Sequence, residues 1–341
     1  MTVQSAGTVS APVGAPVADL AALVRGSRRL VVLTGAGCST ESGIPDYRDE
    51  NGDWKHKRPV QFQDFVGSEA MRRHRPERRS GAPPRSGGVR PSAGRNPVAG
   101  PMSGRRRSHP QLPLGPLLRA STGYWARSLV GWNRIAGAEP NAAHRALAEL
   151  EQRGQIHGLI TQNVDGLHHK AGSRKVIDLH GRLDVVECLD CRATRSRVDF
   201  QTELDRLNPG WRRLRATVAP DGDAALDGVD FDAFEVPACH CGGILKPGVV
   251  FFGEAVPRER TAAALAWLNE ADALLVVGSS LMVWSGFRFA RRAAERGIPI
   301  AAINLGRTRA DDKITLRLNN PCGAVLAELV SLVPPLPRER S

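Results

Sequence analysis

No run of apolar residues in this 341-residue chain approaches the roughly 20 that a membrane span requires. Met1 to Ala18 contains neither Lys nor Arg, so it lacks the charged start of a secretory signal and the Arg-rich face of a transit peptide. A cytoplasmic protein is the expectation. Cysteine is scarce, with six residues in the whole chain, which excludes a disulfide scaffold. In a reducing compartment, clustered cysteines point instead to metal or catalysis. There is no internal repeat, so a solenoid is excluded. What remains, with 41% hydrophobic and 24% charged residues, is a soluble globular chain long enough for one large domain or two smaller ones.

The charge is not evenly spread. The formal net charge is +12, which taken whole suggests a nucleic-acid or anionic-membrane partner. From Arg72 to Thr122, however, there are twelve Arg, no Lys and a single acid, Glu77. This stretch alone carries eleven of the net positive charges, and everything else is nearly neutral. It is rich in Pro, Gly and Ser and has no Phe, Tyr or Trp. Such a composition buries too little apolar surface to offset chain entropy, so 72–122 reads as a disordered basic insertion. A nucleic-acid-binding arm is the competing reading, although the stretch lacks the aromatics on which bases stack.

Elsewhere strands and helices alternate. Val17–Arg25 has helical spacing, and Leu30–Thr34 is a short β-branched run that ends in glycines. Asn141–Gln152 is helical with a Pro140-Asn141 start signal; Ile156–Ile160 and Val176–Leu179 are strands. The helix Ala263–Glu270 precedes the strand Ala273–Val277, and the helix Phe287–Arg296 precedes the strand Pro299–Ile303. Strands separated by helices argue for β-α-β crossovers and an α/β fold with a Rossmann-like, doubly wound parallel sheet.

The run Gly35-Ala36-Gly37-Cys38-Ser39-Thr40-Glu41-Ser42-Gly43 follows the first strand at once. In an open parallel sheet this is where a pyrophosphate binds, with glycines admitting the backbone and a following helix offering free N–H groups. By spacing alone the motif is weak, and a tight turn explains it equally well. The sequence continues through Ile44-Pro-Asp-Tyr-Arg48. Further blocks are Thr161-Gln-Asn-Val-Asp-Gly-Leu-His168, Leu179-His180-Gly181, Lys246-Pro-Gly-Val-Val-Phe-Phe-Gly-Glu254, Gly278-Ser-Ser-Leu281 and Ile303-Asn-Leu-Gly306. Together, and in this order over about residues 30–330, they resemble the sirtuins, the NAD-dependent protein-lysine deacylases. The block Arg182 to Asp221 is most similar to the subgroup that contains the mitochondrial lipoamidase-type sirtuin.

The resemblance implies roles. Gly35, Ala36, Gly37 and Ser39 line the NAD phosphates; Ile44, Asp46 and Arg48 lie on a mobile loop over the nicotinamide ribose. Gln162, Asn163 and Asp165 hold the ribose and carboxamide. Gly278, Ser279, Ser280, Asn304, Gly306 and Cys322 hold the adenosine half. His180 is the general base, taking a proton from a ribose hydroxyl after the acyl-lysine oxygen has displaced nicotinamide; the products are free lysine, nicotinamide and O-acyl-ADP-ribose. Val249, Val250, Phe251, Phe252 and Gly253 belong to a segment that pairs as a strand with the acylated peptide. Imidazole titrates near neutrality and suits the proton transfer. Asn and Gln bind a carboxamide without placing charge beside a developing cation. His168 and His169 are assigned to packing or solvent, and Tyr47 to the acyl pocket.

Cys188-Leu-Asp-Cys191 and Cys239-His-Cys241 are two close pairs separated by residues 192–238. They suggest one structural Zn²⁺ held by Cys188, Cys191, Cys239 and Cys241. The second pair is one residue shorter than the family's commoner C-x-x-C, so His240 competes with Cys241 for the fourth place. The long gap implies an inserted, partly helical loop. Cys38 and Cys322 are not read as ligands.

The expected organisation is a flexible start (1–16), a Rossmann-like NAD-binding domain (17–71, 123–187 and 246–333) interrupted by the basic insertion, a zinc module (188–245) and a flexible tail (334–341). The expected activity is NAD-dependent protein-lysine deacylation on acylated lysine in proteins or peptides. ADP-ribosyl transfer to protein is the enzymatic alternative. A zinc-containing nucleic-acid-binding module using the basic insertion is the alternative of another class, opposed by the near-neutral remainder.

Overall fold

The structure is a computed structural model that describes residues 14–55, 59–66, 115–214, 222, 224, 226 and 228–336; positions 14, 15 and 115–120 are described for the backbone alone. Among the described residues, no helix is long and apolar enough to cross a membrane.

Strands β1 (Leu30–Thr34), β2 (Ile156–Thr161), β3 (Val176–Asp178), β7 (Ala273–Val277), β8 (Ile300–Ile303) and β9 (Leu316–Leu318) form one six-stranded sheet in the order β3-β2-β1-β7-β8-β9. Every pairing in it is parallel. Parallel strands need crossovers, and the crossovers put helices on both faces. That explains why Leu30-Val-Val-Leu-Thr34 carries no alternation: all five residues are buried. Leu30 and Val32 pack with α1 (Gly14–Gly26), α3 (Ala142–Gln152) and α8 (Cys322–Leu332). Val31 and Leu33 pack on the other face with α6 (Arg258–Glu270) and α7 (Trp284–Glu295).

The chain runs outward from β1 to β2 and β3 on one side and from β7 to β9 on the other. The two directions separate at β1, so a crevice opens at the carboxyl ends of β1, β2 and β7, where open α/β sheets bind ligands. Gly35, Gln162 and Gly278 each follow directly on one of these strands, and Asn304 follows β8.

A second, three-stranded antiparallel sheet has the order β5-β4-β6, from β4 (Gly181–Cys188), β5 (Thr194–Ser196) and β6 (Leu245–Val249). Helices α2 (Gly115–Ala136) and α5 (Arg197–Leu207) pack with it around Trp125, Phe200, Val186 and Leu245. The short helix α4 (Leu167–Lys170) lies between β2 and β3. Trp125 donates its indole N–H to the Leu245 carbonyl at 2.9 Å. Arg197 is 1% exposed. Its guanidinium lies over Trp132 at 4.7 Å and donates to Gln201 and Ser128. Burial lowers its pKa to about 10, so it stays charged at neutral pH, held by ring faces and neutral acceptors.

Three expectations change. Residues 115–122 are not disordered: they open α2, and Ser121 and Thr122 are buried. Pro116 does not prevent this, since proline is favoured in a helix's first turn, where its missing N–H costs nothing. Residues 72–114 lie outside the described residues, as do 1–13 and 337–341. Residues 14–16, expected to be flexible, are the first turn of α1. No α-helix follows the glycine loop; two 3₁₀ turns, Ala36–Cys38 and Thr40–Ser42, take its place. Elsewhere α6 and α7 begin five and three residues earlier than their periodicity suggested, because their first turns are polar or lie on the cleft rim. The partly helical loop between the cysteine pairs is present as α5.

Candidate active site

The crevice at the strand ends is a cleft of about 1230 Å³. Its floor is built backbone against backbone. Gly37 N donates to Gly278 O at 2.8 Å. A Cβ on Gly35 would stand 2.7 Å from the Cβ of Ser279. Gly278 itself has φ +59° and no room for a side chain against Cys38. The glycines are therefore required for the loop after β1 to touch the loop after β7. Gly35 and Ala36 line the cleft, whereas Gly37 serves beneath its surface.

Above this floor is a chain of amide, hydroxyl and carboxylate groups. Asn163 donates to Gly35 O and to Ser39 Oγ, both at 3.0 Å. Ser39 Oγ donates to Asp165 at 2.7 Å, and Asp165 accepts the Leu167 N–H at 2.9 Å. Burial pushes the Asp165 carboxyl above the usual range, and the hydrogen bonds from Leu167 and Ser39 oppose it. Gln162 donates to Ser279 Oγ at 2.6 Å. Ser39, Gln162, Asn163, Asp165, Ser279, Ser280 and Asn304 all line the cleft.

His180 lies between the two sheets, immediately before β4. Its Nδ1 is 2.9 Å from the carbonyl of Gln162 and its Nε2 is 2.7 Å from Ser285 Oγ. A carbonyl only accepts, so Nδ1 carries the proton and Nε2 presents a lone pair, to which the Ser285 hydroxyl donates. Burial holds the imidazole down at about 4; the bond to Gln162 opposes this, and Arg260 and Arg288 reinforce it. The ring is neutral, oriented and able to accept a proton on the cleft side.

The roof comes from the loop after the 3₁₀ turns. Ile44, Asp46, Tyr47, Arg48 and Trp54 line the cleft. Asp46 accepts from Lys55 at 2.6 Å. Arg48 lies over the Trp54 ring at 3.9 Å and donates to Gly52 O at 2.6 Å. Tyr47, Trp54 and Phe252 meet edge to face with centroids 5.7–6.2 Å apart.

Val249, Val250, Phe251 and Phe252 line the opposite wall, and Gly253 does not. The expected strand is shorter, since β6 stops at Val249. Val250 N donates to His180 O at 2.7 Å, and Phe62 N donates to Phe252 O at 2.8 Å. The pair of buried Lys246 and half-buried Glu254 braces the turn: Lys246 donates to Val249 O at 2.8 Å and Glu254 accepts the Phe251 N–H at 2.9 Å.

Gly306 and Cys322 also stay off the cleft surface. Gly306, with φ +77°, lets the chain pass Glu50 and so seats the roof loop. The Cys322 thiol is buried against Ile303 O at 3.8 Å, and burial raises its pKa to about 12. Sequence reasoning missed Ser285, Trp54, Tyr124, Met282 and Leu305 in or beside this site. Only Leu281, beside Met282, is anomalous: it is buried with φ +56°, a costly conformation for a branched side chain.

The four cysteines of the small sheet converge, with all sulfurs within 4.8 Å of one another. Cys188 and Cys241 are 3.5 Å apart, and Cys191 and Cys239 3.6 Å. A tetrahedron with Zn–S bonds of about 2.3 Å has edges of about 3.8 Å, so the donor set fits Zn²⁺. A Cβ on Gly243 would come within 2.7 Å of the Cys188 sulfur, so the turn leaves room for the cluster only because it is glycine. The fourth position falls to Cys241; the His240 ring instead lies 3.4 Å from the Cys239 sulfur.

The Sir2 family profile matches residues 116–285. An NAD-dependent protein deacetylase of Bordetella bronchiseptica is 51% identical over 319 residues, covering 92% of this chain and 98% of its own. One from Xanthomonas axonopodis pv. citri is 52% identical over 315 residues, covering 92% and 90%. Among solved structures, a Sir2 protein with a p53 peptide and NAD⁺ superposes with a TM-score of 0.61 at 26% identity, covering 92% of this chain and 96% of that one. Another, bound to a propionylated peptide, gives 0.60 at 25% identity with the same coverage.

Proposed function

The chain belongs to the Sir2 family, and on that premise we propose how its cleft carries out the reaction. It is an NAD-dependent protein deacylase, yielding nicotinamide and O-acyl-ADP-ribose. Bound NAD would supply a ribose whose anomeric carbon gives up its bond to nicotinamide, which leaves, for one to the acyl oxygen of the lysine. Gln162, Asn163, Asp165, Ser39 and the Gly35-Ala36 turn hold it at the strand ends, with Ser279, Ser280 and Asn304 on the adenosine side. Arg48 and Asp46 belong to the loop that covers it. An acylated lysine enters along Val249–Phe252, and its chain passes the Tyr47, Trp54 and Phe252 rings. One structural Zn²⁺ is held by Cys188, Cys191, Cys239 and Cys241, where it cross-links the turns of the small sheet.

The observation that carries the reading is His180. The Gln162 carbonyl clamps its Nδ1–H, which leaves Nε2 as the acceptor, and burial keeps that acceptor unprotonated throughout the physiological range. Ser285 Oγ lies 2.7 Å from Nε2, so a substrate hydroxyl takes the place of the Ser285 hydroxyl before its proton moves.

The test is nicotinamide release from purified protein with peptides bearing short and long acyl chains, with and without NAD. Release is expected only with both substrates, and His180→Ala lowers formation of O-acyl-ADP-ribose about 10²–10⁴-fold while leaving zinc content unchanged. No release with any acyl chain overturns the reading. Label from NAD left on protein would favour ADP-ribosyl transfer. The same panel settles acyl preference and the finer likeness to the lipoamidase-type subgroup, which the bacterial relatives do not single out.

A further inference from the structure

Directly beneath the glycine loop lies a buried cluster that the reaction does not use. Cys38, His144 and His168 come from three separate stretches of chain: the first 3₁₀ turn, the first turn of α3, and α4. Each offers one ligand atom, and these atoms lie within 4.8 Å of one another. All three residues are at most 1% exposed. The two imidazoles are 4.7 Å apart between centroids.

Their hydrogen bonds fix which nitrogens are bare. Thr34 Oγ1 gives its proton to Thr161 Oγ1 at 2.8 Å. Toward His168 Nε2, at 2.9 Å, it can therefore only accept. His168 thus carries its proton on Nε2, and its Nδ1 lone pair has no partner. The side-chain oxygen of Asn141 lies 2.9 Å from His144 Nδ1. Its identity as oxygen is set by the Ala143 N–H that it accepts and by the Asn141 NH₂, which donates to Cys38 O at 2.8 Å. The Asn141 N–H also faces Nδ1, at 3.4 Å, but the oxygen at 2.9 Å is the closer partner, so His144 carries its proton on Nδ1, leaving Nε2 bare. The neighbour at 3.4 Å, Ser39 Oγ, has already given its proton to Asp165. Two imidazole lone pairs and one thiol thus share a buried site with a single proton among them, on sulfur. Unpaired buried acceptors are costly, and burial keeps both rings neutral, the form that ligates metal.

We propose that Cys38, His144 and His168 form a second metal site, separate from the four-cysteine cluster, that takes one thiophilic cation of the Zn²⁺ class. The donor set is one thiolate and two imidazoles, which suits Zn²⁺ and leaves a fourth position open. On binding, the S–H bond breaks, the proton leaves to solvent and the thiolate bonds to the cation. The remaining positive charge is met by Asp165, close enough to act on Cys38 electrostatically. The outer contacts have the form that metal-bound histidines require: His168 Nε2–H on Thr34 and His144 Nδ1–H on Asn141. Ligand atoms around Zn²⁺ stand about 3.3–3.8 Å apart, so the three side chains close on the cation by about 1 Å.

The test is metal stoichiometry on the full chain. Protein equilibrated with excess Zn²⁺ and then desalted is expected to hold about two ions per chain by native mass spectrometry, and Cys38→Ala about one. A measurement needing no variant is ¹¹³Cd resonance of the wild-type protein. Two signals are expected, the second displaced from the four-thiolate signal because nitrogens replace sulfurs. One ion per chain in the wild type, or a single cadmium signal, overturns the proposal. So does a second ion that persists in Cys38→Ala.

Discussion

The six-stranded sheet and the three-stranded sheet reach stability by different routes. The large sheet is apolar on both faces, and its strands are short runs of Val, Leu, Ile and Ala covered by helices on each side. Nothing in its centre depends on a particular distant partner, only on being covered. The small sheet has one well-covered face, packed by Trp125, Phe200 and Phe65 from elements far apart in sequence, and beyond that it relies on four thiols. A region held by general burial is tolerant and rigid, whereas a region held by one cross-link fails as a unit. The cleft lies between them and takes its fixed floor from the first and His180 and Val249–Phe252 from the edge of the second.

Metal removal is the strongest test of that contrast. Chelation, or Cys188→Ala, is expected to abolish activity and to expose the amides of β4–β6 to hydrogen exchange, while β1, β2 and β7 stay protected. Structural Zn²⁺ contributes on the order of 10 kcal/mol to small domains. Equal loss of protection in both sheets would break the distinction.

Leu275→Ala tests the other side. Leu275 is fully buried, in register with Val32 and Ala301. The truncation is expected to cost about 2–5 kcal/mol, read as a lower denaturant midpoint, with zinc content unchanged. A cost under 1 kcal/mol would show that the large sheet is not the principal store of stability.

Gly286→Ala separates stability from binding. The position is helical, where alanine is better by about 1 kcal/mol, but the added Cβ collides with the Gln162 side-chain amide. Gln162 must then swing off Ser279. Thermal stability is expected to hold or rise while KM for NAD rises about tenfold, a shift of ~1.4 kcal/mol. Unchanged KM would remove Gln162 from the binding site.

The last effect is on pH. His180 sits at about 4 when folded and near 6.5 when unfolded. Between these values the unfolded chain binds the extra proton, so stability is full above about 6.5 and falls as pH drops toward 4. The slope is about 1.4 kcal/mol per pH unit for each such histidine. His144 and His168, also held low by burial, act in the same direction. Denaturant midpoints from pH 7 to 4.5 check this, and His180→Gln should flatten part of the slope.

The legible parts of this molecule were those written in neighbouring residues. The strands of the large sheet were readable because two-sided burial demands an uninterrupted apolar run. The glycine turns were readable because close backbone approach admits no other residue. The two cysteine pairs announced a metal by their spacing, and His180 by the blocks around it. The start of α2 was misread because Gly115-Pro116 follows an Arg- and Pro-rich stretch, and local composition does not say where a helix finds a surface to pack on.

Sequence by itself determined the fold class, the family and the identity of the chemical groups, since each depends on short-range periodicity or on motifs of a few residues. Tertiary structure alone decided that Cys241 completes the thiol cluster, that Ser285 covers the His180 lone pair, and that Cys38, His144 and His168 meet in one buried cluster. Those facts are distances between atoms whose residues stand as much as 130 positions apart. They are set by how helices pack on a twisted sheet, and no local pattern of residue types encodes them.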